Sequence, residues 1–141
     1  MMYSIFLAYG EYMAIMQMAA KCPTAQRIGK SYIRHWRLTF QGESGNGVEN
    51  IVPAHNEVVP VTLWRVSEDD VKELDWRYRY MTDYTKLSFD VVCEGTVYSG
   101  YTYVLNNSLP EAEPAQTTKD IMKEGYSDNG ISVRHWDPRF F

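Results

Sequence analysis

The first apolar run of the chain, Tyr3 to Ala8, has the length and continuity of a buried strand. Met13 to Ala20 spaces Met, Ile and Ala so that one helix face is apolar, and Cys22-Pro23-Thr24 ends it. Between them, Gly10 makes a turn that carries strand into helix and leaves backbone N–H groups to receive a ligand. Gln26 to Gln41 contains the alternating segment Tyr32-Ile33-Arg34-His35-Trp36-Arg37-Leu38-Thr39-Phe40, which predicts one long strand. Gln41 to Asn50, with Gly42, Gly45 and Gly47, predicts a flexible loop or hairpin connection, and strand resumes from Glu57 to Val66 after Pro53, broken only by Pro60.

Ser67-Glu68-Asp69-Asp70 predicts a helix start in which Ser67 is the N-cap, Asp70 reciprocates and the acids complement the dipole. The helix extends through Trp76. Leu87 to Glu94 and Thr96 to Leu105 predict two antiparallel strands turning at Glu94-Gly95. Thr117 to Glu124 predicts a short helix ended by Gly125, followed by a turn at Asp128-Asn129-Gly130 and a tail, 132–141, packed by Trp136 and the terminal phenylalanines. Several strands with few helices and no regular βαβ alternation predict an α+β domain, a small and mostly antiparallel β-barrel with short flanking helices. One domain is expected over residues 1–141, with its core over about 3–131.

Composition narrows the function. The net charge of -4 argues against binding a nucleic acid polymer. No stretch approaches the roughly 18 consecutive apolar residues of a membrane span, and the apolar start is too short for a signal peptide, so a cytoplasmic protein is expected. Cys22 and Cys93 lie far apart and are read as reduced. His35, His55 and His135 sit in separate segments without a metal-binding spacing, so neither metal nor cofactor is expected, and His35 is placed at most at a pocket mouth. The 11 tyrosines and 4 tryptophans suit either a β-rich core or a ring-lined pocket, and surplus rings could be covered in a homo-oligomer.

Ala8-Tyr9-Gly10 before a helix, Cys22-Pro23-Thr24-Ala25, Pro60-Val61-Thr62-Leu63-Trp64 before Ser67-Glu68-Asp69-Asp70, Leu74-Asp75 and Gly125-Tyr126-Ser127-Asp128-Asn129-Gly130 occur in one order over about residues 3–131. Together they resemble the γ-glutamylcyclotransferase-like, or AIG2-like, family. The resemblance implies a small β-barrel with flanking helices. In the family's enzymes a Tyr-Gly-Ser-Asn loop holds the γ-glutamyl group, and a glutamate shortly after Leu-Asp moves protons as 5-oxoproline forms. Here Tyr9 and Gly10 match the loop, whereas Glu11 and Tyr12 replace Ser and Asn, Tyr78 and Arg79 replace Glu-Gly, and Thr118 stands where tyrosine is frequent.

A phenol with an ordinary pKa of about 10 is a poor base near neutrality unless a cation depresses it. Arg77 and Arg79 are the cations at hand. The first expectation is therefore a non-catalytic small-molecule binder that sequesters an anionic, nucleotide-like ligand through Tyr9, Gly10, Glu11, Tyr12, Tyr78 and Arg79. The plain alternative for Arg77 and Arg79 is a solvated helix end, and for Glu11 a cap on its own helix. The enzyme alternative is a γ-glutamyl cyclotransferase with a relocated carboxylate, Glu11 first and Glu73 or Asp75 after it.

Overall fold

The computed structural model describes residues 2–135, so the expected packing of Trp136 and the terminal phenylalanines lies outside it. Five strands, β1 (Tyr3–Ala8), β2 (Gln26–Gln41), β3 (Val48–Ser67), β4 (Tyr84–Cys93) and β5 (Thr96–Leu105), form one sheet in the order β2-β3-β1-β5-β4. β1 runs antiparallel to β3 and parallel to β5, and the two hairpins β2–β3 and β4–β5 flank it. Strand alternation divides the apolar residues between the two faces. Phe6 and Ala8 join one core with Trp64, Leu74 and Tyr78, while Leu7 and Tyr9 join the other with Ile33, Val61 and Met122.

The sheet does not close into the expected barrel. Its edges, β2 and β4, meet through side chains in place of a backbone ladder. The Ser31 hydroxyl donates to the Val92 carbonyl, Trp36 packs edge-on against Phe89 at 5.3 Å, and Gly29 leaves room for Cys93 Sγ. This is an open sheet curled until its edges touch, α+β as expected.

β3 is longer than the sequence pattern suggests. It is continuous over 20 residues, because Val48, Glu49 and Asn50 already pair with Gln41, Phe40 and Thr39. Pro53 is accommodated opposite Trp36, beside a register irregularity between Arg34 and Trp36, where the ladder is already interrupted. The glycine-rich connection thus shrinks to Gly42–Gly47.

Three helices, α1 (Ile15–Lys21), α2 (Glu68–Arg77) and α3 (Gln116–Asp128), flank the sheet, with a 3-10 turn over Glu11–Met13. At α2 the Ser67 hydroxyl accepts from the Asp70 amide at 3.2 Å and the Asp70 carboxylate accepts from the Ser67 amide at 3.0 Å. Such a cap is worth about 1 kcal/mol. α3 runs through Gly125, where an end was expected. A β-carbon there would lie 2.8 Å from the Ala14 nitrogen, so this glycine serves close packing against the 11–14 turn, and the helix stops at Asn129-Gly130.

Candidate active site

A cavity of about 280 Å³ opens where the 11–13 turn, the tip of the β2–β3 hairpin, the end of α2 and the start of α3 converge. Glu11, Tyr12, Glu49, Arg77, Tyr78, Tyr84 and Thr118 stand on its wall. The sequence reading brought Glu11, Tyr12 and Tyr78 to one place, and the structure does the same.

The decisive group is Glu49, which the sequence reading left unnoticed inside a presumed loop. The hairpin fixes it firmly. Its carbonyl accepts from the Tyr84 hydroxyl at 2.6 Å, and the strand end beside it is tied down by Asn50, whose side-chain oxygen accepts from the Leu105 amide at 3.0 Å. Gly47, two residues before Glu49, donates to the Glu113 carbonyl at 3.0 Å. The Glu49 carboxyl lies against the Cα of Gly10, where a β-carbon would come within 1.5 Å of Oε2. It accepts from the backbone N–H of Glu11 and, at 3.4 Å, from the Tyr78 hydroxyl.

Burial raises the pKa of Glu49 first and the nearby Glu11 charge raises it further; the N–H of Glu11 and the Tyr78 hydroxyl pull the other way, and the outcome is about 8. None of the groups acting on it is a cation. Burial also lifts Glu11, against which the Thr118 hydroxyl works through a 3.4 Å hydrogen bond. Glu11 does not cap its own helix as expected. Gly10 is the N-cap of the 3-10 turn, and the Glu11 side chain reaches across to α3.

Tyr78 is not a base. Burial, then the charge of Glu49, push its phenol well above the ordinary value, and no arginine depresses it. Its ring stacks on Tyr103 at 4.2 Å, and the Tyr103 hydroxyl donates to Asp75, which also pairs with Lys86 at 2.9 Å. Asp75 is thereby a support for the aromatic stack, absent from the cavity wall, and Glu73 is paired with Arg77 at 3.4 Å.

Four further expectations are revised. Arg79, expected to bind ligand, pairs with Asp83 at 2.9 Å, is 67% exposed and is not on the cavity wall. Tyr9 lies beneath the wall, its hydroxyl donating to the Tyr103 carbonyl at 2.6 Å. Two N–H groups of this segment are engaged already, that of Glu11 by Glu49 and that of Ile15 by the Asp128 carboxylate at 2.9 Å. His35 stacks on His55 at the exposed side of the β2–β3 hairpin, away from the cavity mouth.

A family model described as gamma-glutamyl cyclotransferase, AIG2-like, matches residues 6–128. The chain belongs to this family. No curated protein sequence matches it. Among solved structures it is similar to a gamma-glutamyl cyclotransferase, with a TM-score of 0.85 and 18% identity over 95% of this chain and 84% of that one. An uncharacterized protein from Homo sapiens gives 0.85 and 18%, over 94% and 83% of the two chains. YkqA from Bacillus subtilis gives 0.80 and 16%, over 98% of this chain and 51% of that one. At such identity these likenesses establish the fold of the family. Among the described residues no helix is long and apolar enough to cross a membrane.

Proposed function

We propose that this member of the family is a γ-glutamyl cyclotransferase-type enzyme in which Glu49 of β3 does the work that the resemblance assigns to a carboxylate at the position of Tyr78. One observation carries this reading: the Glu49 carboxyl, buried and without a cationic partner among the described residues, meets the Tyr78 hydroxyl at 3.4 Å on the wall of the cavity. The acid has moved to a neighbouring strand while its destination has stayed the same.

The reaction asks for a base that can take a proton from the substrate α-ammonium near neutrality. A carboxylate lifted toward pH 8 is matched to that task. The incoming ammonium also brings the positive charge that Glu49 lacks. Arg77, which lines the same wall with its guanidinium paired to Glu73, is the cation that would turn to the substrate α-carboxylate in this reading. Two carboxyls and one guanidinium are the complement of a zwitterionic γ-glutamyl head. They oppose a polyanionic nucleotide, and Arg79, the cation on which such a ligand was to rest, is spent on Asp83.

The test is to incubate the protein with a panel of γ-glutamyl amino acids and γ-glutamyl amines and to assay 5-oxoproline. Turnover by the wild type, lost by at least about 100-fold in Glu49→Gln with its melting curve cooperative, is the expected result. Turnover that survives Glu49→Gln, or no turnover on any member of the panel, would overturn it.

A further inference from the structure

Closing the ring moves one proton in each of two places, and Glu49 is held in only one of them. A departing alkylamine cannot leave as an anion, so a proton has to reach its nitrogen as the C–N bond breaks. Glu49 is hemmed in by Gly10, the Glu11 N–H and the Tyr78 hydroxyl, which leaves its carboxyl little room to swing from one nitrogen to the other.

Glu11 is the other carboxyl on the same wall. Its backbone faces Glu49, while its side chain extends toward Thr118 of α3, so the two carboxyls approach the cavity from different elements. Its partner, the Thr118 hydroxyl, can donate to a carboxylate or accept from a carboxylic acid, and therefore holds the group in either protonation state. A salt bridge would have locked it in one.

Resting on the cyclotransferase reading above, we infer that Glu11 is a second catalytic carboxyl, the acid that protonates the departing amine, positioned by Thr118 beside Glu49 on the cavity wall. Once the first proton of the α-ammonium has passed through Glu49 to solvent, the neutral α-amine attacks the γ-carbonyl carbon, and the new N–C bond forms as the Glu49 carboxylate accepts the second proton from that nitrogen. The C–N bond to the leaving group then breaks, its electron pair returns to the leaving nitrogen, and that nitrogen takes the proton of the Glu11 carboxyl. Glu49 ends protonated and Glu11 ionised. The reactive pair has Glu49 ionised and Glu11 protonated, the less populated of its two singly protonated forms, because Glu49 keeps its proton in the presence of the Glu11 charge. One proton passed from Glu49 to Glu11 through solvent restores it, giving 5-oxoproline and the free amine without a co-reactant.

Leaving-group chemistry separates the two roles. The probes are a γ-glutamyl alkylamide, whose amine needs the acid, and γ-glutamyl-p-nitroanilide, whose nitroaniline departs with little proton assistance. Glu11→Gln is expected to lose about 100-fold or more in kcat on the alkylamide and less than about 10-fold on the anilide. Glu49→Gln is expected to lose both, and Thr118→Val should follow Glu11→Gln more weakly. Equal losses on the two substrates in Glu11→Gln, or no loss on either, would overturn the acid role while leaving the Glu49 reading intact. Full activity of Glu49→Gln on both would remove the reading on which it rests.

Discussion

Gly10 and Glu49 occupy adjoining space so closely that any side chain at position 10 would fall on the Glu49 carboxyl, 1.5 Å from Oε2. The glycine of the turn is needed for this partner, because the close approach of the carboxyl leaves no room for a β-carbon. Gly10→Ala is therefore expected to displace the carboxyl, reducing turnover by about 100-fold or more, with a stability loss of about 1 to 3 kcal/mol. Urea unfolding beside the 5-oxoproline assay checks this. Unchanged turnover would mean that the carboxyl is not held where it is needed.

The pH dependence follows from the raised pKa of Glu49. On the p-nitroanilide, whose departure does not need the Glu11 proton, kcat/KM should climb with pH and level off above about 8 in the base role of Glu49. Stability should run the opposite way. The folded protein keeps on Glu49 a proton that the unfolded chain releases, so stability is greatest below the ordinary carboxylate range and declines as pH rises from there to about 8. Glu11, also raised, adds the same sign. Each tenfold change in proton affinity is worth about 1.4 kcal/mol at most for such a group. Glu49→Gln should flatten the decline, and melting temperatures of both proteins at pH 5 and pH 9 measure it.

Tyr78→Phe removes a donor that favours the ionised form of Glu49. The acid limb of kcat/KM should therefore shift above 8, with the stacked ring on Tyr103 retained and a stability change of about 1 kcal/mol or less. Tyr78→Glu instead sets a second carboxyl against Glu49 in a buried place. It should melt lower at pH 8 than at pH 5, because only at the lower pH can both be neutral. A limb that stays in place in Tyr78→Phe would count against the hydrogen bond.

Gly125→Ala tests packing apart from chemistry. Helix propensity alone favours alanine by about 1 kcal/mol. The added carbon would nonetheless lie 2.8 Å from the backbone nitrogen of Ala14, which cannot rotate aside as a side chain can. A net destabilisation of about 1 to 3 kcal/mol is expected by chemical denaturation, and a more stable variant would refute this account of the glycine.

The sequence carried much of the frame because its signals were local. The Ser67-Asp70 capping box, the Gln26 to Gln41 strand and the Glu94-Gly95 turn depend on neighbours in the chain, and each stands where expected. The family resemblance pointed through Gly10 and Tyr78 to the corner of the fold where the cavity opens. Glu49 was hidden by its surroundings. Four residues on from Gly45, it read as part of a loop, and only the pairing of Val48 to Asn50 with β2 makes it strand. One signal was available: extended backward from Pro53, the strand places Glu49 in phase with Ile51, an acid on an apolar face. Arg79 was misplaced for the converse reason, since its ion pair with Asp83 forms around a backbone with φ of +51° that spacing alone does not reveal.

Glu49 stands opposite Phe40 near the end of a ladder whose register is reset between Arg34 and Trp36. Because side chains on a strand alternate, gaining or losing one residue of β3 between Glu49 and Pro53 would turn the carboxyl to the other side of the sheet. The irregularity in the hairpin is thus a gearing for the chemistry: the length of a strand segment, as much as the identity of an acid, sets whether this scaffold is armed.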